Sequence, residues 1–221
     1  MLQNIREALK TDPGSAAPPA YDAIDKGRAR LVAHDLERDD LIKLFCERAQ
    51  SSGSTVHRVK DVYGLKRILA EIAPSGSIVS VAAGAELATR LGEDPSALWP
   101  ESCRILSGRS LTRETLFEIE AALTGVEQGI AETGSIILSA GEDKRRSASL
   151  TAKKHVAVIF PDQIRSDMLD WTAGWRPSRS AASPSGMTVI SGPSKTADIE
   201  MKLVVGVHGP AELHLILFDG G

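Results

Sequence analysis

The sequence predicts an α/β protein: residues 35–221 carry a mostly parallel sheet flanked by helices, behind an N-terminal helical extension. Two observations predict this. From residue 35 onward, segments with apolar residues at helical spacing alternate with short runs rich in Val, Ile and Leu, the order that strand–helix–strand layering requires. The composition, 42% apolar and 25% charged over 221 residues, is that of a globular chain long enough for one well-buried core.

The elements follow in order. Leu2, Ile5, Ala8 and Leu9 recur at helical spacing, so residues 2–10 read as a short amphipathic helix. The stretch TDPGSAAPPA (11–20) ends it with prolines and a glycine, which makes residues 1–34 a helix and Pro-rich linker. Such a helix is too small for a core of its own and must pack on the main body or on a partner. Leu36, Leu41, Leu44, Phe45 and Ala49 form the first helical face of the domain, followed by a strand at Thr55–Val59. A second amphipathic helix spans 61–73, SIVSVA (77–82) is β-rich, and AELATRL (85–91) is again helical. Leu116–Gly129 has a helical pattern, GSIILS (134–139) and HVAVIF (155–160) read as strands, and DQIRSDMLDW (162–171) as a helix. After the Pro/Ser-rich loop 176–186 come a strand at 187–191 and a last buried strand, LHLILF (213–218). There is no internal repeat and no glycine-rich nucleotide fingerprint.

Charge and cysteine count exclude several classes. The net charge is −3 with both signs interspersed, which argues against nucleic acid or a membrane surface as the main partner. The two cysteines, Cys46 and Cys103, are far apart; a four-thiolate zinc site or an iron–sulfur cluster needs more ligands. No apolar signal core opens the chain and no run approaches the ~20 apolar residues of a membrane helix, so a cytoplasmic location is expected. His34, His57, His155 and His214 show no metal-binding spacing, so no metal site is expected, and GxSxG is absent. Trp171 and Trp175, four residues apart, read as core or interface packing.

Two stretches hold the candidate chemistry. In SGPSKTADIEMKLVVGVHGP (191–210), Gly192-Pro193 makes a sharp exit from a strand. Ser194 and Thr196 then suit the cap of a short turn or helix whose N–H groups face an anion, at the carboxyl edge of the sheet where ligands collect. Asp198 and Glu200 share a face if the segment is a strand and diverge if it is a helix, and the sequence leaves both open. Caps and dipole-stabilising acids are the commoner role for such residues. His208, set between Gly206 and Gly209-Pro210, has the backbone freedom of a proton carrier or ligand contact. In GIAETGSIILSAGEDKRRSASL (129–150), Glu132 precedes Gly134, a glycine suited to close backbone approach, and fits a nucleophile or general base as well as a cap or salt bridge. GEDKRR (141–146) reads as a solvated loop from which one arginine, Arg146, reaches an anionic ligand as the minority role.

Three stretches, GIAETGSIILS (129–139), RRSASL (145–150) with HVAVI (155–159), and SGPSKTADIE…GVHGP (191–210), together resemble the LUD-domain family, and within it the lactate utilization protein C group. The resemblance covers about residues 35–221. It implies a core similar to the NagB/RpiA/CoA-transferase group and a part in oxidising L-lactate to pyruvate. It also implies two partner proteins, one with iron–sulfur motifs and one cysteine-rich, so this chain would be the cluster-free subunit, with no cofactor of its own. One departure stands out: Ala152 and Lys153 occupy the place where the family usually has a proline after the serine–leucine pair. Coenzyme A transferases of this fold use a glutamate near a glycine as nucleophile, which Glu132 resembles by analogy alone. Three roles therefore stand at this stage. The first is an accessory subunit binding an organic acid or cofactor at Gly192, Ser194, Thr196, Asp198, Glu200 and His208, with Gly206 and Gly209 as further ligand contacts. The second is a stand-alone transferase or isomerase acting on a CoA thioester or phosphorylated small molecule through Glu132 and His208. The third is a non-catalytic scaffold or regulator.

Overall fold

Along the chain of the computed structural model run α1 (Arg38–Ser51), β1 (Thr55–Val59), α2 (Val62–Ile72), β2 (Ile78–Ala82), α3 (Gly84–Leu91) and β3 (Arg104–Ser107). There follow the one-turn α4 (Arg113–Leu116), β4 (Ala121–Gly125), β5 (Gln128–Ile130), β6 (Ser135–Ala140), α5 (Arg146–Thr151) and β7 (Lys154–Ile159). The last elements are β8 (Ile164–Arg165), α6 (Met168–Gly174), β9 (Gly186–Ile190), β10 (Lys195–Ala197), β11 (Leu203–Val205) and β12 (Glu212–Phe218). The structure describes residues 36–107, 110–141, 144–174, 184–197, 203–206 and 208–220, so the helix expected at 2–10 and its linker lie outside the described residues.

The central sheet has the order β1-β12-β7-β4-β2-β3, and every pairing in it is parallel. A parallel sheet must be covered on both faces, and the two faces are covered differently. On one, α2 and α3 press Leu65, Leu69 and Leu87 onto Val79, Leu123, Val156 and Val158. Asp61 starts α2 by accepting the Gly64 N–H at 2.7 Å, satisfying one of the free donors of the first turn. On the other face, α1 contributes Leu41, Phe45 and Ala49 against Ala157, Ile159, Leu215 and Leu217. That cover is shared with a second sheet, order β8-β5-β6-β9, through Ile136 and Leu138. Beside them Ala148 of α5 and Ala152, just past its end, lie against Ala82 and Ala122. Among the described residues no helix is long and apolar enough to cross a membrane.

Several segments depart from the sequence pattern. The helix expected over Leu116–Gly129 is two strands, β4 and β5. Strand β4 is buried on both faces, with Ala121, Ala122 and Leu123 fully inaccessible; its apolar residues are therefore continuous, and continuity does not separate a strand from a buried helix. The helix expected from residue 162 begins at Met168, because Ile164 and Arg165 pair with β5. The short edge strand β3 has too few residues to show a period. The charged GEDKRR loop ends as the first turn of α5 at Arg146.

Gly134 illustrates why one position tolerates no side chain. It sits in the β5–β6 turn at φ +66°, and a Cβ there would lie 2.1 Å from the Ala49 amide nitrogen of α1. Replacement by alanine forces apart the helix and the hairpin that cover this face. Gly134→Ala is expected to lose at least about 2 kcal/mol of unfolding free energy, measured by urea denaturation.

Candidate functional site

The described residues of the 191–210 stretch, 191–197, 203–206 and 208–210, build a clamp. Gly192 turns the chain out of β9 at φ +88°, so close to α1 that a Cβ would sit 2.5 Å from the Ser52 carbonyl oxygen. The same carbonyl accepts a hydrogen bond from Lys195 Nζ at 2.8 Å, a cation placed where a helix leaves its last acceptors unsatisfied. Ser194 then holds both ends of the segment: its N–H donates to Pro210 O at 2.9 Å, and its carbonyl accepts from Gly206 N at 3.0 Å. Beyond Ser194 the chain forms the antiparallel β10–β11 hairpin, with Lys195 opposite Val205. The expected capped turn or helix at Ser194 and Thr196 is thus a hairpin, with Thr196 on β10.

Behind the clamp is a cleft of about 150 Å³. Gly192, Ser194, His208 and Gly209 line it together with Leu150, His155, Ile190 and Leu213. His155 and Leu213 are the second residues of β7 and β12, so the cleft opens at the amino edge of the central sheet, and the carboxyl-edge position expected from sequence is corrected. The reason is connectivity. The Gly192 segment leaves β9, a strand of the second sheet, and the His208 segment precedes β12 rather than following it.

A second, narrower pocket lies at the carboxyl edge. Its floor is Ala82, Thr124 and Gly125, the closing residues of β2 and β4; its walls are Ser139 and Thr188, and Lys144, Arg145 and Arg146 stand at the start of α5. The pocket has room for about 10 Å³, one water-sized group. Lys144 Nζ donates to Glu127, which also accepts from the Ser139 hydroxyl. Burial pushes the Glu127 carboxyl up, but these two hydrogen bonds and the ammonium charge outweigh it and hold the group below the usual carboxylate range. Arg145 and Arg146 are exposed, and no carboxylate among the described residues forms an ion pair with either.

One buried contact joins the two concavities. Thr124, in the floor of the carboxyl-edge pocket, has its hydroxyl 2.9 Å from Nε2 of His155, which lines the amino-edge cleft. Ser149 of α5 borders both. His155 is 1% exposed, and burial lowers its pKa to about 4; the imidazole is neutral near pH 7 and holds or relays a single proton against Thr124.

Of the residues singled out from sequence, the structure gathers Gly192, Ser194, His208 and Gly209 at the cleft and ties Gly206 to them through Ser194. Arg146 belongs to the other pocket. Glu132 lies in the β5–β6 turn, its N–H bonded to Ser166 O at 3.0 Å, and is not among the residues lining either concavity. A hydroxyl chain runs from that turn to the clamp, Thr133 to Ser135 at 2.7 Å and Ser135 to Ser191 at 2.6 Å. Asp198, Glu200, His34 and Trp175 lie outside the described residues. The sequence concealed Thr124 inside a segment with helical pattern, and Lys144 and Arg145 inside a charge run. His155 was visible as a polar residue opening an apolar strand. Two other scattered histidines meet across the parallel β1–β12 pair: His57 Nε2 is 3.1 Å from His214 Nδ1, and His214 Nε2 is 3.0 Å from Glu212. Burial, reinforced by His214, lowers the His57 pKa.

Comparison with known proteins gives a consistent picture. The family model described as LUD domain matches residues 42–218. A lactate utilization protein C of Exiguobacterium sp. is 34% identical over 109 residues, 48% of this chain and 47% of that protein. Its counterpart in Deinococcus radiodurans is 38% identical over 108 residues, 48% of this chain and 50% of that protein. The one in Bacillus subtilis is 36% identical over 109 residues, 47% and 45% of the two chains. The chain thus spans about half the length of the curated relatives it matches. A crystal structure of a DUF162 family protein from Deinococcus radiodurans superposes with a TM-score of 0.62 at 25% identity, covering 83% of this chain and 99% of that one.

The buried imidazole has a measurable signature. Below its ordinary value of 6.5 the unfolded chain protonates His155, whereas the native chain does not until about pH 4. The stability that depends on the neutral ring is therefore present above pH 6.5 and is lost as pH falls toward 4. The unfolding free energy of wild type minus that of His155→Gln is expected to fall by up to about 3 kcal/mol across that interval, read from urea denaturation at a series of pH values.

Proposed function

The chain belongs to the LUD domain family, and from that premise we propose that it is the cluster-free component of a cytoplasmic system that oxidises L-lactate to pyruvate. The observation carrying this reading is the name shared by relatives 34–38% identical to it, lactate utilization protein C. Oxidising a 2-hydroxy acid to a 2-oxo acid releases two electrons and two protons, and something must accept them. Cys46 sits on α1 and Cys103 just before β3, and two separated thiols make no cluster site. The electrons therefore go to iron–sulfur and cysteine-rich partner proteins, and this chain supplies binding and positioning. The cleft closed by Ser194 and His208 is its ligand-contacting face, with His208 reaching it from a solvent-exposed loop.

Affinity purification of the chain from cells growing on L-lactate should recover iron–sulfur and cysteine-rich proteins. Deleting its gene should stop growth on L-lactate and spare growth on pyruvate. Purification of the chain alone, together with unimpaired lactate oxidation in the deletion strain, overturns the reading. Because His208 is exposed, His208→Ala should change stability by no more than about 0.5 kcal/mol while lowering the rate of lactate-dependent electron transfer; an unchanged rate removes the histidine from the site.

A further inference from the structure

We propose that the pocket at the carboxyl ends of β2 and β4 is an oxyanion-binding site, in which Arg145 and Arg146 take the carboxylate or phosphate end of a small ligand. The inference goes beyond the lactate reading and does not rest on it. Apart from Ser149, none of the pocket's residues lines the cleft beside Ser194 and His208.

Topology provides the first argument. From β2 the chain moves outward to β3, the sheet's edge, whereas from β4 it returns on the opposite side to β7. The crevice between the ends of β2 and β4 is thus the point where strand order reverses, the place where open α/β sheets hold ligands.

Charge provides the second. Lys144 and Glu127 satisfy each other, which leaves two guanidinia facing a pocket with no carboxylate partner among the described residues. The adjoining depression is lined by Glu86 and Arg90, of which Arg90 pairs with Asp162, and neither lines this pocket. A guanidinium fork fits an oxyanion with two or more oxygens better than it fits a spherical ion.

Size and hydrogen bonding complete the case. Room for one water-sized group admits a single oxygen of the ligand's charged end and leaves the rest outside, over the exposed arginines. Thr124 faces this space. When His155 donates from Nε2 to the threonine oxygen, the hydroxyl proton of Thr124 is free to donate to an anion. A bound oxyanion thereby selects one tautomer of the buried imidazole.

The test is calorimetric titration of the full chain, in low-salt buffer, with inorganic phosphate, L-lactate and pyruvate separately. At least one is expected to bind saturably and more weakly as salt is raised. The Arg145→Gln/Arg146→Gln variant should lose at least about tenfold in affinity, with its fold checked by circular dichroism. Lys153→Gln, which removes an exposed cation bonded to Glu120, should bind as wild type does. Arg146→Lys keeps the charge without the fork and should weaken binding several-fold. Phosphate binding alone assigns a phosphorylated ligand, and carboxylate binding alone an organic acid; either supports the site. A wild-type chain that binds none of the three at millimolar concentration, or a double variant that binds like wild type, overturns it. A chain required for growth on L-lactate that nevertheless binds none of them leaves the lactate reading standing and removes this one.

Discussion

The structure depends on covering both faces of its parallel sheet. The apolar residues of strands β4, β7 and β12 have almost no solvent exposure, and each large apolar side chain buried there is worth about 1.5–3 kcal/mol against the entropy of ordering the chain. One face is closed simply, by α2 and α3. The other is closed by a composite of α1, the second sheet and α5, and the gaps between these unlike pieces are the two concavities. The concavities are consequences of how the second face is roofed. This is also why a glycine in the β5–β6 turn and another after β9 lie against α1: the roof pieces meet backbone to backbone, with no space for a side chain between them.

Much of this was legible in the linear sequence, and the parts that were not share a cause. Helices α1 and α2 and strands β1, β2, β6, β7, β9 and β12 announce themselves because an amphipathic helix shows its period and a short β-branched run bounded by glycine, proline or serine shows its limits. Strand β4 did not, because a segment buried on both faces has no polar side from which a period can be read. Strand β8 and the 3-10 turn before it are two and three residues long, shorter than any periodicity.

The site divides in the same way. Gly192, Ser194, His208 and Gly209 were recognisable because glycine–proline steps mark places where the backbone must turn sharply, and two such turns at the ends of one segment bring its ends together. Their position at the amino edge was not recognisable, since it depends on β9 belonging to a different sheet from β12. Lys144 and Arg145 read as a solvated charge run until Thr124 and Ser139, distant in sequence, appear beneath them. His57 and His214 are 157 residues apart and become neighbours only through strand register.

The two hydrogen bonds on the Ser194 backbone have an implication for how this protein can vary. They close the segment at its base, next to the cleft, so the β10–β11 excursion begins and ends at a fixed gate. The length of what lies past that gate is nearly decoupled from the cleft's shape, because doubling a loop adds only about 0.6 kcal/mol of closure entropy. Added length between Ala197 and Leu203 is therefore cheap, because it leaves the residues that line the cleft at the base of the segment in place.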